Sequence, residues 1–323
     1  MSTPLSARRP LGSSDLAVSP ICLGSNVFGW TADEEASFAV LDTFLELGGN
    51  FIDTANVYSA WVPGNAGGES ETIIGRWIAS RGTRDQVVIA TKIGYPAPPN
   101  FPPGLSRSQI RDHAGASLER LGLDTVDLYY AHKDDPGVSL AETLAEFGAL
   151  ASEGLFRAFG TSNYSAGRLA ELLAVADSEG LIRPVVHQPH FNLLDRDGYV
   201  GDLETLCREQ GLGVAPYFAL ARGFLSGKYR PDAPVPVTGR AAGVQSDYMN
   251  ARGWGMLAVL DRVAAAHGAT VAQVSLAWLL ARPGITSPIV SATTPAQLTE
   301  LAGAATLVLS AEDVADLDAA GAQ

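Results

Sequence analysis

The chain has 323 residues, 46 % of them hydrophobic, and 35 acidic against 22 basic side chains give it a formal charge of −13. With no basic run longer than Arg8-Arg9, this balance sets aside a nucleic-acid partner. No stretch reaches the roughly 18 apolar residues of a membrane span and the first residues hold no apolar leader core, so a soluble cytoplasmic protein without membrane contact is expected. Cys22 and Cys207 make no disulfide framework, which fits a reducing compartment.

In chain order, a polar turn around Gly12-Ser13-Ser14-Asp15 separates two short extended pieces and predicts a β-hairpin ahead of the main fold. Strand-like runs follow at Ile21–Gly24, Phe51–Thr54, Val87–Thr91, Val126–Tyr130, Phe156–Gly160, Val185–Gln188, Gly213–Ala215 and Pro288–Val290. Amphipathic stretches lie between them: Asp33–Leu47, Ser70–Ser80, Ser108–Leu121, Ser139–Ala151 and Ser165–Ala176. Ser108 is expected to cap its helix, and Ser139-Leu140-Ala141-Glu142 has the form of a capping box. A last helix is expected over Ala311–Ala319.

Eight short apolar strands, each followed by helix, predict a parallel sheet with helices outside it. An open doubly wound sheet would need a Gly-rich phosphate loop after the first strand. The chain has Gly24-Ser25-Asn26-Val27-Phe28-Gly29 there, which favours a closed (β/α)8 barrel forming one domain over 1–323. Two stretches break the rhythm: Ile93–Leu105, with Pro96, Pro98, Pro99, Pro102 and Pro103, and Arg222–Arg252. Both follow strands, on the face where barrels keep their chemistry.

Four polar residues sit at or just beyond strand ends: Asp53, Tyr58, Lys92 and His132. Convergence of such ends on one mouth makes a cluster geometrically reasonable. Each has a plainer reading: a buried Asp53–Lys92 salt bridge, a structural His132, a loop aromatic at Tyr58. Together they suit carbonyl reduction, which needs a proton at oxygen while hydride reaches carbon. A tyrosine beside a buried ammonium is expected to have a lowered pKa. A carboxylate would keep that ammonium charged, and an imidazole would orient the oxygen. No CxxC, HExxH or carboxylate cluster predicts a metal site.

Asp53-Thr54-Ala55-Asn56-Val57-Tyr58, Lys92 at a strand end and His132 after Leu128-Tyr129-Tyr130 resemble the Asp/Tyr/Lys/His tetrad of the aldo-keto reductase superfamily, from about Arg9 to about Glu300. The resemblance extends to Gly160-Thr161-Ser162-Asn163, and implies that Ser162, Asn163 and Gln188 hold a nicotinamide carboxamide while Tyr217 stacks on the ring. It further implies a pyrophosphate-side loop with Leu220, Arg222, Gly223 and Lys228, and an adenosine-side segment with Ser291, Thr293 and Gln297. Relatives often carry Arg or Lys near Thr293 to pair with the NADP 2′-phosphate, where this chain has hydroxyls. With Lys228, Arg222 or Arg230 able to supply that charge, NADP is expected, with NAD as the alternative. Phe28, Trp30, Trp61 and Tyr95 are expected around the substrate, since the short C-terminal end leaves the lid to loops.

The resemblance implies a carbonyl reductase acting on a small neutral aldehyde, ketone or sugar-like carbonyl, or on the matching alcohol. The alternative is a low-turnover, cofactor-binding regulatory or redox-sensing subunit like the potassium-channel β subunits. A homo-oligomer is compatible with either.

Overall fold

The computed structural model describes residues 3–97, 100–102, 104–236 and 239–321, so Pro98, Pro99 and Pro103 of the proline-rich stretch lie outside the described residues. An antiparallel hairpin of β1 (Arg9–Pro10) and β2 (Ala17–Val18) precedes the main sheet. The main sheet begins with β3 (Cys22–Gly24), β4 (Phe51–Asp53), β5 (Val88–Ile93) and β6 (Val126–Ala131). It continues through β7 (Phe156–Ser162), β8 (Val186–Gln188), β9 (Gly213–Val214) and β10 (Ile289–Val290), every neighbouring pair parallel and β10 lying beside β3. Closure runs between the last two strands, where Thr286 N donates to Val214 O at 2.8 Å and Ile289 N to Pro216 O at 2.9 Å. The eight strands and their surrounding helices form the expected (β/α)8 barrel.

The helices are α1 (Glu34–Glu46), α2 (Glu69–Arg81), α3 (Arg107–Leu121), α4 (Leu140–Ser152), α5 (Ala166–Glu179) and α6 (Asp202–Glu209). They continue with α7 (Ala241–Asp247), α8 (Ala251–His267), α9 (Val271–Ala281), α10 (Pro295–Ala302) and α11 (Ala311–Gly321). Among the described residues no single helix is long and apolar enough to cross a membrane. Ser139 Oγ accepts from Glu142 N, as its spacing predicts. The cap of α3 moves: Ser106, not Ser108, is the N-cap, and Gln109 Oε1 accepts its backbone N–H. Ser108 already lies inside the first turn, where the N–H groups two and three residues further on are bonded within the helix, as Ile110 N is to Ser106 O.

Strand alternation divides the core in two. Cys22, Phe51, Val88, Ala90, Leu128, Tyr130, Ala158, Val186 and Ala215 belong to the cluster filling the barrel, closed from below by Leu11, Leu16 and Val18 of the hairpin. Their chain neighbours Leu23, Ile52, Ile89, Tyr129, Phe159 and Val214 belong to the second cluster, beneath the helices. The inward parity, carried to the upper ends of the same strands, arrives at Gly24, Asp53, Lys92, His132, Ser162, Gln188 and Tyr217. Apolar alternation that packs the barrel therefore also aims its polar strand ends into one mouth.

Candidate active site

Asp53 and Lys92 meet across β4 and β5, where Asp53 pairs in register with Ala90. Beyond β4 the chain stays on the ladder for two more bonds, Thr54 N to Ala90 O at 2.9 Å and Asn56 N to Lys92 O at 3.2 Å. It then turns, with Tyr58 N donating to Ala55 O at 3.1 Å. Ser59 holds the turn in a left-handed conformation (φ 69°) while its hydroxyl donates to Phe28 O at 2.7 Å. This hook carries the Tyr58 hydroxyl back over the strand ends.

All three donors of the buried Lys92 ammonium are used: Asp53 Oδ2 at 2.5 Å, Tyr58 Oη at 2.7 Å and Thr54 O at 2.8 Å. Asp53 Oδ2 also accepts the Tyr58 hydroxyl at 3.2 Å, and Asp53 Oδ1 accepts Gln188 Nε2 at 2.9 Å. His132 continues the β6 ladder, its N–H on Ile93 O at 2.7 Å, and its ring lies 6.3 Å from that of Tyr58. Asp53, Tyr58, Lys92 and His132 are thus brought together. Behind them, outward-facing Thr91 donates to the buried Glu71 at 2.5 Å, which Arg120 pairs at 2.7 Å. That support gives no signal in the sequence, since Glu71 reads as an ordinary helix carboxylate.

The electrostatics differ from expectation at Tyr58, whose hydroxyl is pushed well above its ordinary value, first by burial and then by Asp53. Asp53 already neutralises Lys92, so ionising the phenol would place a net negative charge in a buried site. Burial also lowers Lys92, with Asp53 opposing. His132 is held well below the ordinary imidazole range by burial and then by the Lys92 charge, and its Nδ1 is buried without a partner. The site therefore holds a protonated phenol and a neutral imidazole.

Asp53, Tyr58 and His132, with the fully buried Lys92 behind them, stand at one end of a cleft of about 470 Å³ lined also by Trp61, Tyr95, Asn163, Gln188, His190 and Tyr217. Gly24, Asn26, Leu220, Arg222, Gly223, Arg240 and Ser291 line it elsewhere. Ser162 Oγ donates to Gln188 O at 2.8 Å, Asn163 Nδ2 to Ser162 Oγ at 3.0 Å, and Tyr217 Oη to Asn163 Oδ1 at 2.7 Å. The described non-glycine residues with positive φ are Ser59, Asn163, Phe218, Ala221 and Arg222, and they are grouped around this mouth. Such backbone persists only where its surroundings over-determine it.

Several expected positions fall elsewhere. Phe28 is fully buried and packs in the core beneath the helices, because the tight turn after β3 points it inward. Trp30 does not line the cleft; it stands edge-on to Trp61 at 5.6 Å and under the Arg240 guanidinium. Thr293, half-buried just before α10, bonds to the exposed Gln297 in its first turn at 3.0 Å. Arg230 is paired with Asp261 at 2.9 Å.

Arg240 escapes sequence reasoning, because the stretch before α7 has no readable period. It half-buries against the cleft and donates to Asn26 Oδ1 at 3.0 Å, the same oxygen that accepts Ser291 Oγ at 2.8 Å. Burial lowers Arg240, and the neighbouring Arg222 lowers it further; Arg240 in turn lowers Lys228, after burial. Among the described residues Arg222 has Asp247 at 2.8 Å, whereas Arg240 and Lys228 have no carboxylate partner. Mutually repelling cations without counter-charges fit a ligand carrying anionic groups. A Cβ at Gly24 would meet Ile289 Cγ2 at 2.7 Å and Ser291 Oγ at 3.1 Å, so this wall admits only glycine as it stands. The orphaned His132 Nδ1, the tyrosine wall and the cation end together fit a nicotinamide dinucleotide. Among the described residues no group of three or more His, Cys, Asp and Glu side chains is placed to hold a metal ion.

A family model described as "Aldo/keto reductase family" matches residues 20–322, and the chain belongs to that family of oxidoreductases. It is similar to an uncharacterized oxidoreductase, YrpG, of Bacillus subtilis, 34 % identical across 94 % of this chain and 92 % of that protein. A putative voltage-gated potassium channel subunit beta of Schizosaccharomyces pombe is 34 % identical across 90 % of this chain and 86 % of its own. Norsolorinic acid reductase of Aspergillus flavus is 32 % identical across 95 % and 78 %.

Proposed function

We propose that the protein reduces a neutral aldehyde, ketone or sugar-like carbonyl to the alcohol with NADPH, with Tyr58 as the proton donor. The observation carrying this reading is the Lys92 ammonium, which touches Asp53, Thr54 O and the Tyr58 hydroxyl at once. A bound reduced nicotinamide supplies the hydride. Tyr58, kept protonated by burial and Asp53, gives its proton to the carbonyl oxygen. The phenolate left behind lies 2.7 Å from an ammonium that is already in place, so its charge is met without reorganisation. Neutral His132 orients the carbonyl oxygen, and Trp61 and Tyr95 form apolar walls beside it.

In this reading Asn163 and Gln188 face the carboxamide and Tyr217 the ring, with the fully buried Ser162 behind them, its hydroxyl donating to Gln188 O and accepting from Asn163 Nδ2. Arg222, Gly223, Ser291 and Arg240 hold the phosphates, and Lys228 adds charge behind Gly223, where its Nζ lies 3.2 Å from the place a Cβ would take. Arg240 and Lys228, without carboxylate partners among the described residues, favour NADP over NAD. Titration with NADPH and NADH, followed by tryptophan fluorescence, tests this: tighter NADPH is expected, and binding of neither ligand overturns the reading. The relatives named as potassium channel β subunits support a second reading, a cofactor-binding subunit of low turnover. Repeated turnover of a small aldehyde by the purified chain would remove it.

A further inference from the structure

We propose that His190 is a positioning residue that fixes the plane of the Tyr217 ring, anchored in turn by Asp195; this rests on the reading of the cleft as a nicotinamide site. His190 lies two residues beyond Gln188 and forms a parallel bridge with Tyr217, whose N–H donates to Pro189 O at 2.9 Å. Its imidazole is stacked on the Tyr217 ring, with centroids 5.2 Å apart and planes at 17°. The other edge of the imidazole presents Nε2 to Asp195 Oδ2 at 3.1 Å.

Asp195 is a well-held anchor. It accepts the Tyr248 hydroxyl at 2.6 Å and Asn192 Nδ2 at 2.8 Å, and although partial burial raises its pKa, these bonds and the nearby His190 ring lower it to about 2. Asn192 Nδ2 also donates to Phe218 O at 3.0 Å, which ties the anchor to the residue after Tyr217. At its far end Tyr217 is held through its hydroxyl on Asn163. Tyr217 is therefore gripped at its tip by Asn163 and on one face by His190, and it lines the cleft with what remains. A flat side chain that also reaches a carboxylate is what this place requires, and histidine supplies both.

A ring held in advance costs less to order when a second ring stacks on it. The effect belongs to the ring-bearing cofactor alone. Binding of NADPH and of 2′-phospho-ADP-ribose, the fragment without the nicotinamide ring, separates this from a general structural role. In His190→Ala, NADPH is expected to bind about three- to tenfold more weakly, the range of one aromatic contact, with the fragment unchanged. His190→Phe keeps a flat ring and should recover part of the loss. Equal weakening of both ligands overturns the proposal, as does unchanged NADPH affinity with a raised KM for the carbonyl, which would make His190 a substrate wall. A parent protein that binds NADPH no better than the fragment overturns the nicotinamide reading itself, and this inference with it.

Discussion

The two ends of the cleft are built on different principles. At the Tyr58 end, Asp53, Lys92, His132 and Gln188 stand at strand ends and are buried, and Asp53, Lys92 and Gln188 satisfy one another through hydrogen bonds while His132 Nδ1 stays open. At the Arg240 end the groups come from loops, Arg222 and Ala221 sit in left-handed backbone, and two cations lack carboxylates among the described residues. One end is held together by its own side chains, with His132 Nδ1 left open; the other carries cations without carboxylate partners among the described residues. In the proposed reading the rigid end, its geometry set by the barrel, does the chemistry and the loop end supplies affinity.

The sharpest way to break this contrast is at Tyr58. Tyr58→Phe is expected to lower turnover by roughly 10²–10⁴ while leaving NADPH affinity within about twofold, because general-acid catalysis is lost and little binding surface changes. Steady-state rates with a reactive aldehyde, set beside the fluorescence titration, check it. Near-parent turnover would move the proton donor elsewhere.

Lys92→Met addresses the completeness of the rigid end. It leaves the Asp53 carboxylate, 1 % exposed, without its cation, and is expected to cost about 3–5 kcal/mol in urea unfolding. Adding Asp53→Asn should return most of that loss. A single variant as stable as the parent would mean that Asp53 takes up a proton at little cost.

Acid should weaken the buried barrel as well. His187 is buried and lowered to about 3, and His132 is also lowered, each chiefly by burial. Because the folded values lie below the ordinary 6.5, the unfolded chain takes up these protons first as pH falls. Their contribution is complete above about pH 6.5 and is lost below it, at about 1.4 kcal/mol per pH unit for each histidine. Unfolding free energies at pH 7, 6 and 5 should show this slope, reduced by one proton in His187→Gln.

The smallest effect is expected at the loop end. Arg240→Ala should weaken NADPH about tenfold at low salt, as one charge-assisted contact implies, and less as salt rises. Turnover at saturating cofactor should stay near that of the parent. Unchanged affinity would place the anionic groups away from the Asn26–Ser291–Arg240 corner.

The barrel and the Asp53, Tyr58, Lys92 and His132 cluster were legible in the sequence because both follow from a two-residue alternation. Short apolar strands need a buried sheet, and the same parity that sends Ala90 inward sends Lys92 to the mouth. Local chemistry carried less: Ser108 looked like a cap although the helix begins two residues earlier, and Phe28 looked like a substrate wall although its turn buries it. Arg240, Asn26 and the His190–Asp195 pair were decided by tertiary structure alone. Asn26, His190 and Arg240 lie far apart in the chain and only barrel closure brings them to the same cleft, with Asp195 behind His190. The Tyr58 shift was also a matter of three dimensions. Residue identity places an ammonium beside a phenol, but how deeply the cluster is buried, and whether a carboxylate has already used that positive charge, sets the direction.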